Sequence, residues 1–410
     1  MEYTGKKILY ITYDGLTDPL GQSQILPYLK GLSEYGYQFT ILSFEKKERF
    51  RKEKQTIERL TSESNIKWVP LWFTSTPPLL SKFYDALRMR KKAIELHKQY
   101  KFDMVHCRSY IAADVGLYLK KKFGVKFLFD MRGFWADEKK DGGSWNMANP
   151  FYKGVYRYYK KKEADYLQNA DCIIALTEAG KKEMMQWAYY NQHIPLQVIP
   201  CCADMDLFSL INSREKEMSR RELNLGENEL ILSYLGSVGT WYMLDEMLIF
   251  FKQLKKHYPG AKFLFVTPTP RGVIDKKISR LKLEEKDFII ISASRQEVPF
   301  IIKASDINIS FIKPVYSKIS SSPTKLGEVL SMGIPVLSNS GVGDVEDIVK
   351  KADAGFIVHD FNESDFEKAI YCIPYLLKKN PEEIRNAVKG MYSLGRGVEL
   401  YADCYRNILA

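Results

Sequence analysis

The chain has 410 residues, of which 45% are hydrophobic, and carries 61 Lys and Arg against 50 Asp and Glu for a formal net charge of +11. That length exceeds one ordinary core and points to two domains, while the apolar content excludes a disordered chain. The longest apolar runs, such as Ile173–Leu176 and Phe288–Ile291, are far too short to span a bilayer, so no transmembrane helix is expected.

In chain order, a short polar lead passes directly into a strand pattern without the apolar core of a secretory signal, so a cytoplasmic protein is expected. Strand-like and helix-like patterns then alternate: Lys7–Tyr13, Gln24–Tyr35, Gln38–Phe44, Ile66–Leu71, Lys82–Tyr100, Met104–Cys107, Ile111–Lys122, Lys126–Asp130, Phe151–Gln168 and Cys172–Leu176. Apolar strands separated by amphipathic helices imply a parallel sheet covered on both faces. A boundary is expected at Val198–Phe208, read as a hinge, followed by the polar stretch Asn212–Glu229. The grammar then repeats with strands at Leu230–Leu235, Lys262–Val266, Phe288–Ser292, Ile307–Phe311, Pro335–Leu337 and Gly355–Val358, and Val398–Ile408 has helix spacing after Gly395 and Gly397. The six cysteines form no CxxC pair, and neither a disulfide framework nor a metal cluster is expected.

The charge surplus is confined to one half. Residues 1–200 hold 33 Lys and Arg against 22 Asp and Glu, whereas residues 201–410 hold 28 of each. A basic domain joined to a neutral one suggests an anionic surface as partner. Of phospholipid, an acidic acceptor and nucleic acid, the last is the weakest reading and is not expected, because no nucleic-acid-binding module can be picked out. On Lys82–Phe102, the residues Arg88, Arg90, Lys91 and Lys92 lie beside the apolar loop Leu71–Leu80 and form the expected membrane-facing set. Phe151–Leu167 places Tyr152, Val155, Tyr156, Tyr159 and Tyr166 on one helical face and lysines on the other, suiting either a lipid interface or a helix packed on the sheet.

The richest segment is Ser320–Asn339, SSSPTKLGEVLSMGIPVLSN. Ser321, Ser322 and Thr324 are candidate caps of a helix and Pro323 suits its first turn, so unpaired N–H groups and a positive dipole end would receive a phosphate. Lys325 is expected as a mobile cation beside that end. Glu328, about one turn on, would accept from vicinal hydroxyls. Phosphate plus diol points to a nucleotide.

At these residues the chain resembles the retaining glycosyltransferases of family 4, whose motif E-x7-E is followed by A-x-G-x-P-V. Glu328 stands for the second acid and Ser331–Val336 follows it, while Ser320 replaces the first acid, as in a variant P-x-K-L-x-E. The resemblance implies an α/β, GT-B fold: two Rossmann-like domains facing each other across a cleft. It places an acceptor-binding domain at residues 1–203, a nucleotide-sugar donor domain at 204–390, and a helix at 391–410 crossing back to the first domain. It gives Glu328 the donor ribose and puts a sugar contact at Ser320. The turn Tyr234–Thr240 matches the glycine turn that opens the donor domain, bringing Gly236 and Ser237 near diphosphate together with Thr324, Leu326, Ser320, Ser321 and Ser322.

Other expectations are less specific. The loop Asp14, Gly15, Gly21, Gln22, Ser23 would line the cleft, with Gly21 and Ser23 admitting a phosphate or sugar. Arg108 stands where the family has a sugar-facing histidine, and Arg108 and Arg132 at strand ends suit a charged ligand. His106 reads as a strand histidine satisfied by its neighbours. Arg295 borders the base in relatives and otherwise reads as a solvated surface arginine.

The function implied is transfer of a sugar from a nucleotide-sugar to an acceptor hydroxyl, with retention. The acceptor is read as lipid-linked or polysaccharide, and the protein as peripheral at the inner face of the cell membrane, in cell-surface polysaccharide or glycolipid synthesis. Lys325, Arg108 and Arg132 are the candidate catalytic residues, with no cofactor or metal. The alternatives are a nucleotide-sugar 2-epimerase of the same architecture and a catalytically silent nucleotide-sugar-binding subunit.

Overall fold

The computed structural model describes residues 5–77 and 80–410. It divides into two compact units, one running to Pro200 and completed by Leu394–Ala410, the other Cys201–Ser393. The expected boundaries at 203/204 and 390/391 lie within three residues of these divisions.

The first unit contains a seven-stranded, all-parallel sheet of β1 (Lys7–Thr12), β2 (Gln38–Glu45), β3 (Lys67–Trp72), β4 (Met104–Arg108), β5 (Lys126–Asp130), β6 (Cys172–Ala175) and β7 (Leu196–Val198), in the spatial order 3-2-1-4-5-6-7. Its central strands are buried along almost their whole length, as β4 shows with all five residues covered, which is why they read as continuous apolar runs. The order reverses between β1 and β4, so chain leaves in opposite directions there and opens a crevice at the strands' carboxyl ends. Residues Asp14 and Arg108 stand at that point.

The last helix, Leu394–Leu409, belongs to this unit and packs on helix Leu26–Glu34, where Gly31 lets Val398 approach: a Cβ at Gly31 would meet Val398 at 2.7 Å. It starts earlier than the spacing suggested and takes Gly395 and Gly397 inside it. Tertiary burial on one face outweighs the roughly 1 kcal/mol that a helical glycine costs.

The second unit repeats the scheme with six parallel strands: β8 (Ile231–Leu235), β9 (Lys262–Val266), β10 (Phe288–Ile291), β11 (Ile307–Ser310), β12 (Val336–Asn339) and β13 (Gly355–Val358), in the order 10-9-8-11-12-13. Its switch point lies between β8 and β11. The polar stretch Asn212–Glu229 contains helix Ser213–Glu222, capped by Asn212, whose side chain accepts from the Glu215 N–H. Two apolar clusters cover the sheet, one including Leu326, Val329 and Leu330 from helix Thr324–Ser331.

Among the described residues, no helix is long and apolar enough to cross a membrane.

Candidate active site

In the second unit the site assembles at the carboxyl end of β8. Gly236 follows that strand with φ +109°, a conformation open to glycine and costly for other residues, and a Cβ there would stand 3.1 Å from the Lys325 Nζ. The turn is held in place because Tyr234 Oη donates to the Ser237 carbonyl at 2.7 Å and the Val238 N–H donates to Thr269 Oγ1 at 3.0 Å.

Helix Thr324–Ser331 is buried along nearly its whole length, and Gly327 permits this because any Cβ would meet the Tyr392 ring at 2.9 Å. This burial corrects the expectation for Lys325. Instead of a mobile cation it is a covered one, 8% exposed, donating from Nζ to Tyr234 Oη at 3.0 Å and lying 3.7 Å and 4.2 Å from the ring centres of Tyr242 and Tyr234. It makes no salt bridge among the described residues. Burial pushes its pKa well below the usual lysine value, with the more distant Glu328 carboxylate opposing that shift.

The caps also differ from expectation. Pro323 occupies the cap position and no side chain caps the helix. Ser322 instead accepts from the Cys201 N–H at 3.1 Å, and the Ser321 N–H donates to the Lys318 carbonyl at 3.1 Å. Thr324 opens the helix and Leu326 points into the core. Ser320 is buried in a short 3-10 turn, where its hydroxyl donates to the Ser317 carbonyl at 3.0 Å.

Arg295 is not the solvated arginine its sequence context suggested. Its Nη1 donates to Glu328 Oε1 at 2.9 Å and its guanidinium stands 5.3 Å from the Phe208 ring centre. Glu328 therefore sits one turn inside the helix, 6% exposed, with one oxygen engaged by arginine. Nearby, Lys318 is buried with its Nζ 3.8 Å from the Trp241 ring centre.

In the first unit a polar network lies at the ends of β4 and β5. Arg108 is buried, donating from Nε to Asp14 Oδ2 at 3.3 Å and standing 4.0 Å from Asp130, while Arg132 stands 3.8 Å from Asp130. Ser109 and Arg132 both adopt left-handed backbone at φ +66° and +56°, a strain that clusters at functional positions. His106 contacts Tyr405 Oη at 2.7 Å through Nδ1 and Asp130 at 3.4 Å through Nε2, and Tyr401 Oη donates to Asp130 Oδ2 at 3.0 Å. Burial lowers the His106 pKa, with Asp130 opposing. Burial alone would raise that of Asp130, yet Arg132, His106 and Arg108 hold it below the usual carboxylate range. The two tyrosines come from the last helix, a contribution no local motif announces.

The loop after β1 is fixed from within. Glu45, buried at the end of β2, accepts from the N–H groups of Leu16 and Thr17 at 2.8 and 3.1 Å. Gly15 is required because a Cβ would stand 2.6 Å from Glu45 Oε2, and Gly21 because one would stand 2.3 Å from the Gly15 carbonyl. Both glycines are needed for the loop's own packing. Gln22 and Ser23 belong to the short helix Pro19–Gln24, where the Ser23 hydroxyl donates to the Pro19 carbonyl at 2.8 Å.

Two doubly wound units, the second carrying a buried lysine and a glutamate on a helix that lies beside its glycine turn, define a GT-B sugar-transferring enzyme. Residues 24–207 match Glycosyltransferase Family 4 and residues 215–389 match Glycosyl transferases group 1, and the chain belongs to this glycosyltransferase family. A D-inositol 3-phosphate glycosyltransferase of Corynebacterium jeikeium is 20% identical over 277 residues, spanning 66% of this chain and 63% of that relative. Among solved structures, a sucrose-phosphate synthase from Thermosynechococcus elongatus superposes with TM-score 0.74 at 15% identity, covering 98% of each chain. The Anabaena protein HepE, in complex with UDP and glucose, superposes with TM-score 0.71 at 13% identity, covering 98% of this chain and 99% of its own. At such identities the superpositions show the shared fold.

Proposed function

We propose that the protein transfers a glycosyl group from a nucleoside-diphosphate sugar, held by the second unit, to an acceptor hydroxyl presented by the first, with retention of anomeric configuration. The observation that carries the donor assignment is Lys325: a buried ammonium with no acidic salt-bridge partner among the described residues, beside a glycine turn where a Cβ at Gly236 would stand 3.1 Å from its Nζ. Burial of an unpaired charge is costly, and a diphosphate whose charge grows as the sugar departs would compensate it. Glu328 is assigned to the donor ribose through the oxygen not engaged by Arg295. Retention rests on membership of the family.

Arg108 and Arg132 are assigned to the reacting end of the acceptor or to its charged group, where fixed guanidinium forks suit phosphate. The acceptor is read as a lipid-linked or polysaccharide intermediate, and the protein as peripheral at an anionic membrane face. No resident metal or cofactor enters the proposal, so turnover is expected to survive a chelator.

The test is incubation with a panel of nucleotide sugars. Nucleoside diphosphate released only with acceptor supports transfer. An altered sugar without net nucleotide release would instead indicate 2-epimerisation, and binding without turnover a silent subunit.

A further inference from the structure

The first unit carries an apolar ridge for which the proposed transfer has no use. Helix Leu80–Tyr100 exposes Leu80, Phe83, Tyr84 and Leu87, spaced so that all four share one face. Helix Pro150–Asn169 exposes Phe151 and Tyr158, seven residues apart and again on one face. All six are between 44% and 67% exposed. The rings of Phe83 and Tyr158 lie 6.4 Å apart, centre to centre, and join the two stripes. Beside them are two adjoining hollows of about 180 and 380 Å³, the second lined by apolar residues and by Gly154, where a Cβ would meet nothing within 4 Å. Soluble monomers rarely leave such a contiguous patch in water.

The charges around the ridge differ from the set that sequence suggested. Arg88 pairs with the buried Asp85 at 3.2 Å and donates to the Trp72 carbonyl at 2.8 Å, Arg90 pairs with Asp114 at 2.5 Å, and Lys92 pairs with Glu95 at 2.6 Å. Those three are tied to the protein. Lys91, one turn beyond Leu87, and Lys153, Arg157 and Lys161 on the second helix are exposed, and none of these four is ion-paired among the described residues. The part of the apolar loop at Pro78 and Leu79 lies outside the described residues. The two helices together hold six and five Lys and Arg against two and two Asp and Glu.

We propose that this ridge docks on an anionic lipid bilayer, with Leu80, Phe83, Tyr84, Leu87, Phe151 and Tyr158 entering the headgroup–acyl boundary and Lys91, Lys153, Arg157 and Lys161 meeting anionic headgroups. It deepens the reading of a membrane-linked acceptor and rests on it. Charge selects this occupant over a second copy of the chain, which would bring an equally basic rim against this one. Aromatic residues flanked by lysine and arginine suit an interface that is apolar on one side and negatively charged on the other.

The test is co-sedimentation of the full chain with phosphatidylcholine vesicles, with or without phosphatidylglycerol, at low and high salt. It needs neither donor nor acceptor, so its failure leaves sugar transfer standing. The wild type should pellet with the anionic vesicles and less so in high salt. Replacing Phe83 and Leu87 together by serine should abolish binding at both salt levels; both are exposed, so folding should survive, and circular dichroism checks that it does. Changing Lys153, Arg157 and Lys161 to glutamine should weaken partitioning about fivefold per charge, on the order of 100-fold together, and remove most of the salt dependence. Lack of binding by the wild type at low salt would overturn the proposal, as would unchanged binding by both variants. A wild-type dimer that the serine pair converts to monomer would overturn it too, because the ridge would then be an interface between copies.

Discussion

Replacing Lys325 by methionine should separate stability from function in opposite directions. The substitution keeps the length and most of the volume of the side chain while removing its charge. What the unliganded protein loses is one hydrogen bond at 3.0 Å to Tyr234 Oη and two ring contacts at 3.7 and 4.2 Å. A hydrogen bond contributes about 0.5–1.5 kcal/mol net, and a desolvated cation–π contact about 2 kcal/mol. Tyr234 Oη is not stranded, since it still donates to Ser237 at 2.7 Å. Against these losses stands relief from burying an ammonium without a carboxylate partner, a penalty of several kcal/mol. The unliganded variant should therefore be as stable as the wild type or more so. Donor binding should move the other way: loss of a charge-assisted bond to diphosphate costs about 1.5–3 kcal/mol, or roughly 10- to 150-fold in Kd. Turnover should fall further, by about 10²–10³. Thermal unfolding, calorimetry with UDP, GDP and ADP, and steady-state rates measure all three. Marked destabilisation together with unchanged nucleotide affinity would refute the reasoning and make Lys325 a structural residue.

Three further outcomes follow from the same geometry. Glu328→Ala should weaken nucleotide binding by about 1.5–3 kcal/mol in a folded protein, which titration calorimetry measures; unchanged affinity would remove its ribose role. Gly236→Ala forces a side chain into φ +109° and against the Lys325 ammonium, so unfolding should show a loss of about 1–3 kcal/mol together with weaker nucleotide binding. The depressed Lys325 pKa links both folding and binding to pH. Between its lowered value and the ordinary 10.5, the unfolded chain holds a proton that the folded one lacks, so this group makes stability rise with pH through that window. Diphosphate should restore the charge, and calorimetry in buffers of differing ionisation enthalpy should register proton uptake in that range for the wild type and none for Lys325→Met.

The fold was legible because parallel strands covered on both faces read as short apolar runs, and β1, β5, β9 and β13 fall on or within a residue of where that pattern put them. Strand β7, with all three residues only partly buried, lacked the signal, as did the strongly polar helix Lys47–Glu63. At the site, Glu328, Lys325 and the Gly236 turn stood out as motifs, but their environments did not. The pairing of Arg295 with Glu328 spans 33 residues, that of Lys325 with Tyr234 spans 91, and those of Tyr401 with Asp130 and His106 with Tyr405 span 271 and 299. No local spacing encodes such contacts. Glu45, which holds the loop after β1 from the end of a neighbouring strand, escaped notice for the same reason. On helix Leu80–Tyr100 the pairing of Arg90 with Asp114 was equally hidden, because that acid arrives from helix Ser109–Phe123.

The central claim is tested most directly by following a single reaction: purified protein, one nucleoside-diphosphate sugar from a panel and a lipid-linked or polysaccharide acceptor, with nucleotide release and product anomer read by magnetic resonance. Nucleoside diphosphate released in step with acceptor glycosylation, with the donor's anomeric configuration kept and both lost in Lys325→Met, is the predicted result. Glycosylation that persists undiminished in Lys325→Met, or a product of inverted configuration, would contradict it.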